Sequence, residues 1–407
     1  MKDTNPLFAL AAYLLAIVTA IILVRLVPTI GRHLKHSGES RYSSIDGLRG
    51  YLAFGVFVHH ALITWIFLQT GVVDFPPSNF YSQLGQGSVA LFFMITGFLF
   101  WNRLLQQGRA FDWQSFAVSR LFRLYPLYLP LMLLVFVTVF QLQGWELRDT
   151  VPEFIGQVLR WLTFDRPDIN QYPQSGMLIS NVTWTLGYEV FFYLSLPLLG
   201  LVFVYRGHWV QVVLSLIGVY LLYQVIGWEH SLKKHFIAAF LGGIAAAYWV
   251  RRPHLVAWGQ TRLAGLIALV ALLMVFTLFR RSFSLLPLLL LTLFFVVVAS
   301  GHNLFGALKP RSIRWLGEIS YSTYLLHGFL IWVMVHRVPS IIGVDANQPL
   351  PFMVLLAASC CLLIVISSLS FLLIEKPGME AGKRVTQWLR ERKKQQKGRA
   401  EKVAEQR

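Results

Sequence analysis

The residues in this chain best suited to chemistry are ionisable groups set inside strongly apolar stretches. Residues 46–60 read Asp46-Gly47-Leu48-Arg49-Gly50-Tyr51-Leu52-Ala53-Phe54-Gly55-Val56-Phe57-Val58-His59-His60. From Arg49 to His60 is about three helical turns, so in a helix the two share a face, with His60 roughly 16 Å deeper. Asp46 falls near the same stripe, and His59 is rotated about a quarter-turn off it. A histidine there can act as general base or carry a group covalently. The bland alternative has Arg49 snorkelling to a surface while His60 closes a polar packing network.

Three further groups belong to this set. Arg120-Leu121-Phe122-Arg123 puts two guanidinium groups three residues apart, neighbours on a helix that can hold phosphate oxygens in pairs. Ordinary basic anchoring at a membrane surface is the competing explanation. Glu189 lies in Trp184-Thr185-Leu186-Gly187-Tyr188-Glu189, about two turns into an apolar segment, and His327 closes the run Ser320-Tyr321-Ser322-Thr323-Tyr324-Leu325-Leu326-His327. We expect His60, His327 and Glu189 to converge in one interior. The alternatives are a Glu189 paired with an arginine or a tyrosine hydroxyl, and a core His327 satisfied by a hydroxyl. Ionisable groups at membrane depth are costly, which favours function over packing.

The elements that must position them are membrane helices. Of 407 residues, 56% are hydrophobic and 14% charged, against about 25% charged in soluble domains. Apolar runs long enough for a span fall near 7–28, 47–69, 84–106, 124–144, 183–204, 208–227, 235–250, 262–279, 284–300, 316–336 and 351–374. The expected fold is therefore all-α, a polytopic membrane helix bundle of about eleven transmembrane helices, of which 235–250 and 284–300 are the shortest. Residues 151–163 have helical periodicity but are too short and polar to cross. They are expected in the interface or folded back over the bundle.

Alternating these spans from an outside N-terminus leaves 25 Lys/Arg on the cytoplasmic side and 9 on the other, the bias expected of cytoplasmic loops. The C-terminus is then cytoplasmic. Arg280 and Arg281 on a short outer loop run against the bias. Of the net charge of +17, +6 falls in the basic tail, whose expected partner is the anionic inner leaflet. No nucleic-acid reader accompanies it, so nucleic acid is not an expected partner. Cys360 and Cys361 are adjacent in an apolar stretch and supply neither a disulfide framework nor spaced metal ligands, so no metal is expected. Gly87, Gly97 and Gly242-Gly243 are assigned to close helix approach.

In this order the motifs resemble acyltransferase family 3. The matching pieces are Asp46 to Gly50 with His60 beyond, Gly87 to Leu99, Arg120 with Arg123, Trp184 to Tyr193, Ser320 to His327, and Ile374-Glu375-Lys376-Pro377. The resemblance implies a ten-helix acyltransferase domain, here at residues 41–378, preceded by an extra helix and basic loop (1–40) and followed by a basic tail (379–407). It implies an O-acyltransferase of a bacterial inner membrane. Such an enzyme moves an acetyl or other short acyl group from cytoplasmic acyl-CoA to a hydroxyl of an envelope carbohydrate, with glycan-assembly proteins as possible partners. In that frame Arg49 and His60 match the essential arginine and histidine, and Arg120 with Arg123 the donor-binding pair. His60 is the expected general base, Glu189 and His327 its tuning or acceptor-orienting partners, and Arg49 stands at the inner mouth. Two other classes would use the same residues differently. A transporter or lipid-linked glycan carrier would use them as a relay, but the chain lacks the internal repeat common in transporters. A non-catalytic scaffold has no need for Arg49 and His60 on one face.

Overall fold

A computed structural model describes residues 6–36, 42–205, 208–230 and 232–405. The boundary expected near residue 40 lies outside the described residues. In chain order the helices are α1 (Pro6–Leu26), α2 (Pro28–His36), α3 (Ser43–Thr70), α4 (Asn79–Gln107), α5 (Trp113–Leu142), α6 (Val151–Leu162), α7 (Trp184–Phe203), α8 (Trp209–His230), α9 (Lys234–Trp249), α10 (Pro253–Gly259), α11 (Arg262–Leu278), α12 (Leu285–Ala299), α13 (Arg311–Glu318), α14 (Ser320–His336), α15 (Val338–Ile342), α16 (Pro349–Ser370) and α17 (Lys376–Glu405). No strand is present among the described residues. The chain is a polytopic membrane helix bundle.

Among the described residues eight helices are long and apolar enough to cross a membrane, or nine if α10 and α11, bent by 70°, form one span. The eleven predicted segments are all helical. The three that fall short alone, α9, α11 and α12, have 16, 17 and 15 residues. At 1.5 Å per residue they span roughly 22–26 Å, less than a hydrocarbon core of about 30 Å. They nevertheless run between the same two ends of the bundle. Trp249 Nε1 of α9 donates to Ser300 Oγ at 3.1 Å at one end, and Asn79 Nδ2 donates to the Thr277 carbonyl at 2.7 Å at the other. We name the first the arginine end, because Arg49, Arg120 and Arg123 lie toward it, and the second the loop end.

The central helix is α4, against which α9 lies almost backbone to backbone. Helices in lipid gain little from apolar burial, so close packing of small residues must hold them. A Cβ on Gly97 would stand 2.5 Å from the Phe240 carbonyl oxygen, and one on Gly242 2.5 Å from Thr292 Oγ1. One on Gly243 would strike the Met94 carbonyl oxygen and stand 2.6 Å from the Phe98 nitrogen. Cys360 is buried in α16 and Cys361 half-buried, both as free thiols.

The segment between α5 and α7 folds into the bundle. Phe154 of α6 meets Phe140 near the loop end of α5, with ring centroids 5.5 Å apart. About three turns back along α5, Tyr128 Oη donates to the Trp161 carbonyl at 2.5 Å and Tyr125 Oη to the Leu162 carbonyl at 2.8 Å. Asn170 then closes the segment on itself. Its Nδ2 donates to Gln143 Oε1 at 2.7 Å and to the Glu146 carbonyl at 2.8 Å, and its Oδ1 accepts from the Arg148 nitrogen at 2.7 Å. With its backbone polar groups satisfied this way, a non-helical segment can sit inside a membrane protein. As a result α7 starts deep: Thr185 Oγ1 lies 2.9 Å from Tyr324 Oη on α14.

Pro377 would clash with the carbonyl four residues back in a regular helix. The chain widens into a π turn over residues 371–375 just before it, and continues into α17. Helix α17 then runs back along the start of α5, where Arg390 meets Asp112 at 3.0 Å. Asp112 also caps α5, accepting from the Ser115 nitrogen at 3.0 Å and its hydroxyl at 2.5 Å. These bonds hold its carboxyl down at about 2.

The glycine packing predicts opposite outcomes at two sites. Gly243→Val forces the backbones of α4 and α9 apart and should cost at least about 1–3 kcal/mol, read as a lower melting temperature and folded yield in detergent. Gly156, in α6, has nothing within 4 Å of a built Cβ, so Gly156→Ala should stabilise by about 0.4–1 kcal/mol. Equal effects from the two would contradict the packing argument.

Candidate active site

Two cavities open into the bundle. The one toward the arginine end holds about 380 Å³ and is lined by Arg49, Arg120, Arg123, Glu189, Glu318 and Tyr193, among others. The one toward the loop end holds about 840 Å³ and is lined by His59, His60, Arg166, Trp184 and Lys233, among others. Among the described residues, Val89 of α4 and Tyr324 of α14 contribute to both walls. They form the partition between the cavities.

Helix α3 serves both sides. Arg49 lines the smaller cavity, with Asp46 3.9 Å away. His60 lines the larger one, three turns farther along. His59, rotated off the stripe, is buried and also reaches the larger cavity, but its Nδ1 is engaged with the Tyr81 carbonyl at 2.8 Å. His327 is fully buried behind His60, with ring centroids 5.2 Å apart. His327 Nδ1 lies 3.2 Å from the Thr323 carbonyl, and since a carbonyl only accepts, this contact puts the proton on Nδ1. Its Nε2 has no hydrogen-bond partner among the described residues and keeps a free lone pair.

The expected convergence of two histidines and a carboxylate therefore holds only for the histidines. Glu189 belongs to the other cavity, where Oε2 accepts from Tyr193 Oη at 2.6 Å and Oε1 from Thr96 Oγ1 at 3.5 Å. The reason is the infolded segment, which starts α7 at the depth of Tyr324 and carries Glu189 one turn further toward the arginine end. Alternation of the spans places residues 145–182 outside and Glu189 just beneath them, whereas Trp161, Phe164, Ile169, Ser175, Leu178 and Ile179 of that segment are buried.

The two arginines also separate in role. Arg123 Nη1 contacts Glu375 Oε2 at 2.7 Å. The Arg123 side chain is 15% exposed and that of Glu375 0%, so the pair is buried, and the Ser322 hydroxyl donates to the other carboxylate oxygen. Arg120 lies over the Phe100 ring at 4.6 Å, and its Nη2 bonds Ser119 Oγ at 3.0 Å. Its Nε is buried without a partner, and no carboxylate approaches it within 4 Å among the described residues. A guanidinium with spare donors at a cavity fits a phosphate group. Among the described residues no cluster of His, Cys, Asp or Glu could hold a metal ion.

A family model described as an acyltransferase domain, that of acyltransferase family 3, matches residues 42–369. The chain belongs to this family. The match covers the helices carrying Arg49, His60, Arg120, Arg123, Glu189 and His327, so this membrane acyltransferase presents all six from the matched region. Comparison with curated proteins and with solved structures finds no match.

Arg166, Glu318 and Lys233 carry no sequence signal that marks them as site residues, and Tyr324 and Glu375 stand out in the sequence only as members of motifs. Arg166 and Lys233 sit among mixed charges in connecting segments, where spacing carries no signal. Tyr324 was legible in principle, since it falls one turn before His327 on the same helix.

The pairing predicts a split between stability and binding. Glu375→Ala strands a buried Arg123 and should cost about 3–5 kcal/mol, whereas Arg120→Ala removes contacts over the Phe100 and Tyr193 rings and should cost about 1–2 kcal/mol. Thermal unfolding of the two variants in detergent checks this, and similar losses would contradict the assignment.

Proposed function

We propose that this acyltransferase is an O-acyltransferase that moves an acetyl or other short acyl group from acyl-CoA to a hydroxyl of an envelope carbohydrate. The observation that carries this reading is the pair of cavities that share, among the described residues, only Val89 and Tyr324, one with free guanidinium donors and the other with His60. Donor and acceptor can then approach from opposite ends and meet at the partition, so neither crosses the membrane.

In this reading the smaller cavity faces the cytoplasm, where acyl-CoA is available, and the larger faces outward. Arg120 and Arg49 hold the anionic part of the donor, and Arg123, paired with Glu375, frames the cavity wall beside them. The acceptor hydroxyl lies against His60, which takes its proton as the oxygen attacks the thioester carbonyl carbon. The carbon–sulfur bond breaks, His60 returns the proton to the departing sulfur, and the acyl ester and free thiol leave. His327 lies behind His60, and its partnerless Nε2 lets it share the imidazole proton or orient the ring. Glu189 acts on the donor side through Tyr193 and Arg120 instead of tuning His60. The basic α17 lies along the anionic cytoplasmic leaflet, and the membrane is a bacterial inner membrane.

Reconstituted protein incubated with labelled acetyl-CoA and a panel of envelope glycans tests the activity. His60→Ala should abolish transfer while the protein still inserts and folds. His59→Ala loses the bond to the Tyr81 carbonyl and should lower stability while transfer persists. Near-normal transfer by His60→Ala would remove the proposed base. Arg120→Ala should weaken donor binding by about one to two decades, the loss of one charge-assisted contact of about 1.5–3 kcal/mol. Arg120→Lys should also be impaired, because it keeps the charge without the planar fork.

Sidedness has its own check. Ser175, in the middle of the loop segment, is fully buried, so Asp168 and Gln107, both exposed, are the informative cysteine positions once Cys360 and Cys361 are replaced. An impermeant thiol reagent should label Asp168→Cys on intact cells and Gln107→Cys only after permeabilisation. The reverse pattern would put the arginine cavity on the wrong side for acyl-CoA.

A further inference from the structure

The larger cavity has a one-sided electrostatic character. Arg166, Lys233 and Arg337 line it, and no Asp or Glu does among the described residues. The three cations come from separate parts of the fold: the infolded segment, the start of α9 and the end of α14. None has a carboxylate within 4 Å among the described residues.

Of the acids near Arg166 in sequence, Asp168 is exposed and approaches no cation within 4 Å among the described residues, and three others are occupied elsewhere. Asp165 pairs with Arg160 at 2.5 Å, Asp149 accepts from Gln157 Nε2 at 2.7 Å, and Glu153 caps α6 through the Thr150 nitrogen at 3.0 Å. Arg166 is left with the Asn181 carbonyl on Nη1, and its Nε is buried with no partner. Lys233 presents an exposed side chain at the rim, and the Arg337 guanidinium lies 5.4 Å over the Trp332 ring. Like charges gathered in a low-dielectric cleft raise the local concentration of the opposite charge. In the orientation read from the sequence, these cations also lie on the side where membrane proteins carry fewer lysines and arginines. Topology alone gives no reason for them to gather there.

We propose that the acceptor is an anionic carbohydrate, and that Arg166, with Lys233 and Arg337 at the rim, holds its carboxylate or phosphate while the ring lies on the cavity's aromatic faces. Trp184, Tyr172 and Trp332 supply those faces. Arg166 presents donors in a planar fork suited to a carboxylate or phosphate. His60 lines the same cavity, so a hydroxyl on the held sugar can reach it. The proposal rests on the larger cavity being the acceptor site and names what that site selects.

The test uses the full-length protein in nanodiscs of zwitterionic phosphatidylcholine and reads sugar binding by tryptophan fluorescence without donor. The probes are a glucuronic acid–glucose disaccharide, glucose 6-phosphate and the neutral disaccharide cellobiose. The two anionic sugars should bind at least about tenfold more tightly than cellobiose, the size of one charge-assisted contact. Arg166→Gln should remove most of that preference, and added salt should weaken it. Arg166→Lys and Lys233→Gln guard against misfolding, since the first keeps the charge and the second leaves the infolded segment untouched. Both should keep a reduced preference.

Equal binding of anionic and neutral sugars to the wild-type protein would overturn the proposal, as would a preference unchanged when Arg166, Lys233 and Arg337 are all replaced by Gln. Nanodiscs of phosphatidylglycerol separate the two sources of anion. If that lipid quenches the fluorescence through Arg166 and no sugar competes, the cavity takes a lipid headgroup and the proposal fails. Parallel transfer assays keep this outcome apart from the activity itself. Transfer to neutral glycans with no anionic preference defeats the inference and leaves the acyltransferase reading intact. Arg166-dependent sugar binding without acyl transfer to any sugar supports the inference and defeats that reading.

Discussion

Arg123 and Glu375 meet where α5, α14 and the π turn after α16 converge, and Ser322 completes the contact from α14. A lone charge at that depth would be expensive, so the three helices are held together by the requirement that each charge keep its partner. The pair also sets distances at both cavities. Arg120 lies one turn before Arg123 on α5, and His327 lies little more than one turn beyond Ser322 on α14. The π turn that brings Glu375 inward exists because Pro377 cannot follow a regular helical turn.

Around that junction the polar groups sort into two chambers. Close helix approach makes the sorting possible: α9 lies so tightly on α4 that the apolar walls stay sealed, and the polar side chains are left to line cavities in place of lipid. The infolded segment between α5 and α7 does the rest. It fills the loop-end side of the bundle with residues that satisfy one another through Asn170, presents Arg166 to the larger chamber, and shifts α7 so that Glu189 faces the smaller one. The separation of a guanidinium-lined chamber from a histidine-lined chamber by one tyrosine and one valine is thus a product of packing and loop geometry together.

Much of this was legible in the sequence, and the reasons are specific. Apolar runs near bilayer length must become helices in a membrane, because no other local structure satisfies their backbone, so all eleven segments are helical. A period of 3.6 residues put Arg49 and His60 on one stripe and His59 off it; Arg49 and His60 line stacked cavities, and His59, which also lines the larger one, is held by the Tyr81 carbonyl. The ordered motifs were sufficient to indicate the acyltransferase family. These properties depend only on neighbours along one helix or on the order of motifs along the chain.

What required tertiary structure was every relation between elements far apart in sequence. Alternation puts residues 145–182 on the outer side and periodicity allows 151–163 to fold back over the bundle, but a polar segment gives no sign that Asn170 closes it internally and lets it enter the bundle. It cannot tell that Arg123 is committed to Glu375 while Arg120 keeps a free donor, because both arginines have the same local surroundings. Nor can it separate Arg166 from the mixed charges around it, since only folding pairs Asp165 with Arg160 and leaves Arg166 facing the cavity. Which helices form and which faces they present followed from local chemistry. Which charges remain unpaired, and in which chamber, was decided by long-range packing, because a charge is neutralised by whatever the fold brings near it.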